Sequence, residues 1–311
     1  MKRDFRVVVV TRKTPLDHLV ARHGTVGQAD FFLRGQGLEI AGFEAVARAQ
    51  RVAVAASLSH FGAEVRRVHI DRDELDRFVF HPDDVILAVG QDGLVANVAK
   101  YLDGQPVVGI NPDPRRYDGV LCSLSAGHAA GAVHFALSGE PANATYARQM
   151  RTLAEARRGD GLLIRALNEV FIGHKTHQSA VYTLAVGGAS ERQSSSGVIV
   201  STGTGCTGWG RSIATQRGLA DLPAIDEPSL AWFVREPFPS VSTGCNMNFG
   251  RIGPGESLRL GSEMGTGGTA FGDGIEADNL DLPSGQSVEV TVCRRRLALV
   301  GAPVRRPART R

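Results

Sequence analysis

The sequence predicts an α/β N-terminal domain with a parallel sheet, followed by a β-rich C-terminal domain. In the first 110 residues, strand-like runs of Val and Ile alternate with helix-compatible segments. From about Arg165, short β-like runs recur with Gly, Ser, Thr and Pro between them. Alternating strands and helices are typical of a parallel sheet with crossover helices. Short strands separated by turn residues are typical of an all-β domain.

The elements of the first domain follow from local patterns. Helix-like apolar spacing over Phe43–Phe61 ends at Gly62, a residue that often stops a helix. A second helix is predicted over Leu94–Leu102. The predicted strands are Phe5–Val10, Glu64–Ile70, Val85–Val89 and Pro106–Ile110. Ligands of such sheets bind beyond the carboxyl ends of the strands, which directs attention to the loop after Val89.

The β-rich part is less regular. Its predicted strands are Leu163–Ile172, Ala180–Val186, Val198–Val200, Ser257–Leu260 and Ser287–Val292. Met150–Arg158 is compatible with a helix. We therefore expect domains at 1–135 and 136–285, with 286–311 forming a return strand to the first domain and a basic tail.

Bulk properties exclude several classes of protein. The chain has 311 residues, 42% of them hydrophobic and 22% charged, which is ordinary for a soluble globular protein. A net charge of +3 is too small to indicate nucleic-acid binding. No apolar run approaches the roughly 20 residues that span a bilayer. Four scattered cysteines fit reduced thiols, so a cytoplasmic protein without membrane or nucleic-acid partners is expected. His174 and His177 have no evident third ligand, so no protein-held metal is expected.

The loop after the buried run Val85–Val89 carries the strongest chemical signal. Gly90 breaks the run, Asp92 supplies a carboxylate, and Gly93 leads into a helix-compatible segment. Backbone N–H groups of such a loop and the helix dipole both favour an anion. A carboxylate among phosphate-binding amides is explained if it binds a metal or accepts a proton from a nucleophile, which points to phosphoryl transfer. The alternative is an ordinary turn.

Two further motifs could bind a nucleotide. In Ser201–Trp209, Thr204 and Thr207 offer hydroxyls to ribose or phosphate, and Trp209 offers a ring for base stacking. The alternative there is a Gly-rich turn with Trp209 in the core.

Asn168 and Glu169 interrupt an apolar strand, and strand geometry predicts that they point to opposite faces. They could bind ribose hydroxyls or an adenine amino group. The alternative is a bulge or edge position with hydrated side chains. The Gly-rich segment Gly261–Gly274, which contains Asp273, could line a site or form flexible turns.

Together these motifs resemble the NAD kinase family. Gly90-Gln91-Asp92-Gly93 is similar to its Gly-Gly-Asp-Gly loop, and Leu167-Asn168-Glu169 to its Asn-Glu motif. Ser201–Trp209 is similar to its second Gly/Thr-rich motif. Ala166–Gly173 and Ser195-Ser196-Gly197 resemble the mitochondrial-type branch.

The resemblance implies a kinase that phosphorylates the adenosine 2′-hydroxyl of NAD with ATP and Mg²⁺. Asp92 would be the general base, and Gly90, Gln91 and Gly93 would form the phosphate-donor loop. Gly93 also belongs to the implied dinucleotide site, with the residues Asn168, Glu169, Thr204, Thr207 and Trp209. The resemblance also implies a homodimer or homotetramer.

The chain departs from the family pattern at several positions. Gln91 replaces the second Gly of the acidic loop, and Leu94 replaces a Thr. Cys206 stands where Ser is usual, and Thr266-Gly267 where Asp-Gly is frequent. Two alternatives to the NAD kinase interpretation therefore stay open: a non-catalytic or altered-specificity nucleotide-binding protein with a regulatory role, and a kinase of another nucleotide or of a lipid.

Overall fold

The computed structural model describes residues 5–303. Contacts group residues 5–149 and 298–303 into one compact unit, and residues 150–297 into a second. The basic tail predicted at the C-terminus begins outside the described residues. The domain boundaries predicted after residues 135 and 285 stay a prediction.

The elements are as follows. The helices are α1 (Pro15–His23), α2 (Val26–Arg34), α3 (Ala41–Ser59), α4 (Asp92–Ala99), α5 (Ala129–Ser138) and α6 (Trp209–Arg217). The strands are β1 (Arg6–Thr11), β2 (Arg66–Asp71), β3 (Asp84–Val89), β4 (Val107–Ile110), β5 (Ala147–Arg158), β6 (Leu163–Ala166), β7 (Glu169–His174), β8 (Ala180–Val186), β9 (Ala189–Ser195), β10 (Val198–Thr202), β11 (Leu230–Val234), β12 (Phe249–Ile252), β13 (Ser257–Ser262), β14 (Gly268–Gly272), β15 (Asn279–Asp281) and β16 (Ser287–Gly301).

The first unit contains the predicted parallel sheet, in the order β2-β1-β3-β4. Leu299 and Val300, at the end of β16, add a parallel pairing to β4. Apolar faces of α3 and α5 pack on the central strands, and every residue of β3 is buried. Because strands buried on both faces read as continuous apolar runs, the sequence located β3 accurately.

The helices α1 and α2, of nine residues each, were not predicted from the sequence. A start signal was nevertheless present. The Thr14 side chain accepts the Asp17 N–H, and the Asp17 carboxylate accepts the Thr14 N–H, which together form a capping box. Pro15 occupies the first turn, where a missing N–H costs nothing.

The second unit is β-rich, as predicted. One antiparallel sheet has the order β12-β11-β10-β7-β14-β15. The other contains residues 287–297 of β16, followed by β13, β8 and β9, with β5 pairing to β16 and β6. Buried residues of both sheets form one core, and α6 covers the opposite face of the six-stranded sheet.

Two predictions for the second unit were wrong. Met150–Arg158 is not helical but belongs to β5, where its buried residues face the core. The predicted strand Leu163–Ile172 is two strands, β6 and β7, separated by Leu167 and Asn168. Apolar patterning could not show this break because Leu167 itself is fully buried.

Candidate active site

The acidic loop of the first unit joins β3 to α4. Gln91 is the residue before the helix and has φ −88° and ψ 165°, an extended conformation that any residue adopts, so its side chain costs no backbone strain. A Cβ on Gly90 would lie 2.9 Å from Leu94 Cδ2, so glycine allows this close packing. A Cβ on Gly93 would meet nothing within 4 Å, which leaves open space beside the start of α4.

Asp92 is the first residue of α4, and its carboxylate is held by a neighbouring loop. Oδ2 accepts the N–H of Val120 at 2.9 Å, and Oδ1 accepts those of Leu121 at 2.9 Å and Cys122 at 2.8 Å. A carboxylate offers about four acceptor positions, so one stays open on Oδ2. Burial first, and then the charge of Asp92, raise the pKa of the Cys122 thiol far above its ordinary value.

A narrow cleft of about 70 Å³ lies at the carboxyl edge of the parallel sheet. Gly90 and Gln91 line it together with Arg12, Lys13 and Arg116. Asp92 is not among its lining residues. The cleft thus joins the predicted phosphate-donor loop to cationic side chains that suit an anion.

Asn168 and Glu169 are placed differently from the prediction. Asn168 lies in the break between β6 and β7, and Glu169 is the first residue of β7. Because the strand is interrupted at Asn168, the two residues do not occupy alternating positions of one continuous strand. Both side chains are half-buried.

Thr202 joins the Asn168 segment to the Gly/Thr-rich motif. Its N–H donates to Asn168 O at 2.8 Å, and its hydroxyl donates to Leu167 O at 2.5 Å. The same Oγ1 lies within hydrogen-bond range of the N–H groups of Thr204 at 3.1 Å and Gly205 at 3.2 Å. A Cβ on Gly205 would lie 2.2 Å from Asn168 O, so this approach requires glycine. The two predicted motifs are therefore in direct contact in the second unit.

The three other predicted residues of this motif have different surroundings. Thr204 is buried, and within the described residues its hydroxyl has no hydrogen-bond partner. Thr207 is exposed and donates to Thr204 O at 2.8 Å. Trp209 is 39% exposed, so it is not the core residue of the alternative interpretation.

Trp209 belongs to an aromatic pocket of about 390 Å³. Its ring is parallel to that of Phe171, with centroids 6.4 Å apart, and Phe271 packs on Phe171 at 5.0 Å. The Arg235 guanidinium lies 5.4 Å from the Trp209 ring centroid. An aromatic pocket with a cation at its edge suits a planar, negatively charged molecule.

The side chains of Asn168 and Glu169, like the Thr204 hydroxyl, are polar groups of this region without a partner in the described residues. Neither has a hydrogen-bond partner among residues 5–303. Burial raises the pKa of Glu169 from its ordinary 4.5 to about 7, and the charge of Asp273 contributes in the same direction. Burial likewise raises the pKa of Cys206, the residue that replaces the usual Ser. A half-buried amide and carboxylate without protein partners are available to bind a ligand or water.

Comparisons with known proteins show which proteins the chain is similar to. No family model matches the chain. NAD kinase 2, mitochondrial, of Rattus norvegicus is 31% identical over a match that covers 50% of this chain and 46% of the relative. The Homo sapiens protein of the same name is also 31% identical, with 50% and 44% covered. The chain thus spans about half the length of the curated relatives it matches.

Solved structures extend the comparison to the whole fold. Yeast NADH kinase complexed with NADH has a TM-score of 0.62 and 15% identity, covering 97% of this chain and 85% of that one. An NAD kinase from Archaeoglobus fulgidus in complex with ATP has a TM-score of 0.57 and 17% identity, covering 96% and 94%. The chain has the NAD kinase fold, and its predicted resemblance to that family is confirmed.

Within the described part of this NAD kinase fold, no group of three His, Cys, Asp or Glu side chains could hold a metal ion. In the same part of the chain, every helix is too short or too polar to cross a bilayer.

Three features of this structure were not predicted from the sequence. The linking role of Thr202 requires the β6–β7 break, which apolar patterning hid. The Asp273 carboxylate accepts the N–H groups of Leu167 and Asn168 from more than 100 residues away, although its position between two glycines was a visible turn signal. Arg12 and Lys13 follow β1, and that position alone could have drawn attention to them.

Proposed function

We propose that this chain is an ATP-dependent kinase that phosphorylates the adenosine 2′-hydroxyl of NAD to give NADP. Three observations support it. The curated relatives are named NAD kinases, and solved structures of this fold hold NADH or ATP. The acidic loop also provides a carboxylate that can act as a base, and Asn168 and Glu169 provide polar side chains that can bind a dinucleotide.

The observation that carries the proposal is the pair of unpartnered side chains on a fixed backbone. Thr202 holds the Asn168 carbonyl, while the Asn168 amide and the Glu169 carboxylate stay free. An amide offers both donors and acceptors, and an ionised carboxylate accepts from hydroxyl or amino groups. These groups complement ribose hydroxyls or the adenine amino group, so we assign them to NAD. Thr204, Thr207 and Trp209 would contact the same dinucleotide, and of these three residues Trp209 lines the aromatic pocket.

Asp92 is the proposed general base. Its open Oδ2 position would accept the proton of the 2′-hydroxyl as that oxygen bonds to the γ-phosphorus of ATP. The bond from the γ-phosphorus to the β–γ bridging oxygen breaks, and its electron pair leaves with ADP. The three N–H donors fix the carboxylate, and positioning is the main contribution of a protein to phosphoryl transfer.

The cleft beside Gly90 and Gln91 is the proposed site of the donor phosphates. Arg12, Lys13 and Arg116 would offset their negative charge. Lys13 is also 3.0 Å from Asp73, so the cation is already partly compensated. Mg²⁺, bound with ATP, would neutralise further phosphate charge.

A nucleotide-binding protein with a regulatory role is the second candidate. The specific observation in its favour is the set of three N–H groups around Asp92, because a carboxylate that caps a loop needs no catalytic role to explain it. A kinase of another nucleotide or of a lipid has no such observation behind it.

The test uses purified protein with Mg²⁺, a panel of nucleotides and a panel of donors, with products identified by mass. We expect NADP from NAD and ATP. Asn168→Ala and Glu169→Gln should weaken NAD binding, whereas Glu140→Gln, which changes an exposed side chain, should not. Wild type that binds NAD but forms no phosphorylated product would favour the regulatory candidate.

We also propose a homodimer or homotetramer, in the cytoplasm, without nucleic-acid or membrane partners. Sedimentation of the purified protein with and without NAD measures the subunit number. A monomer under both conditions would contradict this part of the proposal.

A further inference from the structure

Asp273 lies where β14 ends, directly before Gly274. It has φ 54°, a left-handed conformation that few residues other than glycine adopt but that Asp tolerates. Its carboxylate accepts the Leu167 N–H through Oδ2 at 2.9 Å and the Asn168 N–H through Oδ1 at 2.7 Å. Its own N–H donates to Glu169 O at 3.0 Å. One residue thus contacts the backbone of three successive residues.

These contacts fall where regular strand pairing is interrupted. Leu167 and Asn168 lie between β6 and β7, and the Asp273 carboxylate accepts the N–H groups that a continuous strand would have offered to a neighbour. Thr202 accounts for the carbonyl side of the same segment. The backbone is therefore satisfied without the side chains of Asn168 and Glu169.

The charge of Asp273 also acts on Glu169. Among residues 5–303, two titratable groups on the packed elements influence this carboxyl or are influenced by it: Asp273 beyond β14, and the Cys206 thiol after β10. Ser201, which pairs with Glu169 on β10, is neutral. Asp273 is therefore the charged neighbour that opposes ionisation of Glu169.

We propose that Asp273 is a positioning residue of the NAD site: it holds the Asn168–Glu169 backbone so that both side chains face the ligand. A consequence of this placement is that the charge of Asp273 opposes ionisation of Glu169. The identity of the ligand rests on the function proposed above. Asp273 itself touches no substrate atom in this assignment; it acts through Asn168 and Glu169.

Two variants of Asp273 distinguish the effect of its hydrogen bonds from the effect of its charge. Asp273→Asn removes the charge and replaces one acceptor oxygen by an amide that cannot accept. Asp273→Glu keeps the charge but lengthens the side chain. Asp281→Asn, at an exposed position on β15, is the matched control for loss of an acidic charge.

The first measurement is an NMR titration of the Glu169 side-chain carboxyl carbon in the free protein, with Glu169→Gln used to assign the signal. We expect the midpoint near pH 7 in wild type, Asp281→Asn and Asp273→Glu. In Asp273→Asn it should fall, yet stay above the ordinary 4.5 because burial persists. An unmoved midpoint in Asp273→Asn overturns the electrostatic role.

The second measurement is NAD affinity by calorimetry from pH 5.5 to 8.5. Both Asp273 variants should bind NAD roughly tenfold more weakly at the high-pH plateau, because a charge-assisted hydrogen bond is lost or displaced. An unchanged plateau overturns the positioning role. The NMR titration needs no ligand, so a fallen midpoint supports the role of Asp273 even if wild type forms no NADP and the proposed function fails.

Discussion

The Asn168 N–H donates a 2.7 Å hydrogen bond to Asp273, a residue 105 positions later in the chain. With the hydrogen bonds of Thr202, this bond gives a partner to both the N–H and the carbonyl of Asn168. The Asn168 side chain is not needed for these contacts and stays available for a ligand. A segment that turned these side chains outward without such partners would bury unpaired backbone groups, at a cost of about 1–3 kcal/mol each. The arrangement thus connects local backbone chemistry to a binding site.

The affinity for NAD should rise with pH. The pKa of Glu169 is about 7 in the free protein, and its ionised form is the better acceptor for a hydroxyl or amino group. Between pH 6 and pH 8 the ionised fraction grows by roughly tenfold, and the dissociation constant should fall by a similar factor. Calorimetry measures this. Glu169→Gln should flatten the profile, and a wild-type profile that is already flat would contradict the assignment.

The free energy of unfolding should depend on pH through the same residue. Since the folded state raises the pKa of Glu169 above 4.5, it binds more protons than the unfolded state between pH 4.5 and about 7. The stabilisation is therefore present at low pH and is lost as pH rises, by up to about 3 kcal/mol. Urea unfolding of wild type and Glu169→Gln at pH 5 and pH 8 measures it. If both proteins lose the same stability, Glu169 is not responsible.

Gln91→Gly should increase the affinity for the donor. The Gln91 side chain lines the cationic cleft, and its backbone is extended, so glycine removes bulk without relieving strain. We expect the KM for ATP to fall by roughly tenfold at most. Initial rates over a range of ATP concentrations measure it, with the exposed Gln36→Gly as the control. Donor kinetics identical to wild type would show that the cleft is not the phosphate-donor site.

Asp84→Ala should destabilise the first unit. The fully buried Asp84 carboxylate accepts two hydrogen bonds from Arg6, at 2.6 and 2.7 Å, and one from His81 N–H at 2.7 Å. Removing the carboxylate leaves the partly exposed Arg6 guanidinium and the His81 N–H without their acceptor, at a cost of about 1–3 kcal/mol for each buried group. Denaturant unfolding measures this. Exposed Asp76→Ala is the control, since its ion pair with Arg77 is long and solvated. Equal stability of the two variants would refute this argument.

Sequence patterns predicted the elements whose burial is regular. Val85–Val89 was found because β3 is buried on both faces. Met150–Arg158 was misjudged because its polar residues fit a helix as well as a strand, and packing in the core of the second unit decides between them.

The site was predictable in part, for a similar reason. The motifs around Asp92, Asn168 and Thr204 were visible, since their residue types are unusual beside apolar strands. The roles of Thr202 and Asp273 were not, because they depend on contacts between residues more than 30 and 100 positions apart in the chain.

The most direct test of the proposed reaction is transfer of labelled γ-phosphate from ATP to NAD in the presence of Mg²⁺. We predict labelled NADP with wild type, and a rate lower by about 10²–10⁴-fold with Asp92→Asn, as expected for loss of a positioned base. Calorimetry and a melting curve must show that Asp92→Asn still binds NAD and folds. Wild type that binds both nucleotides and yet leaves NAD unlabelled would contradict the account.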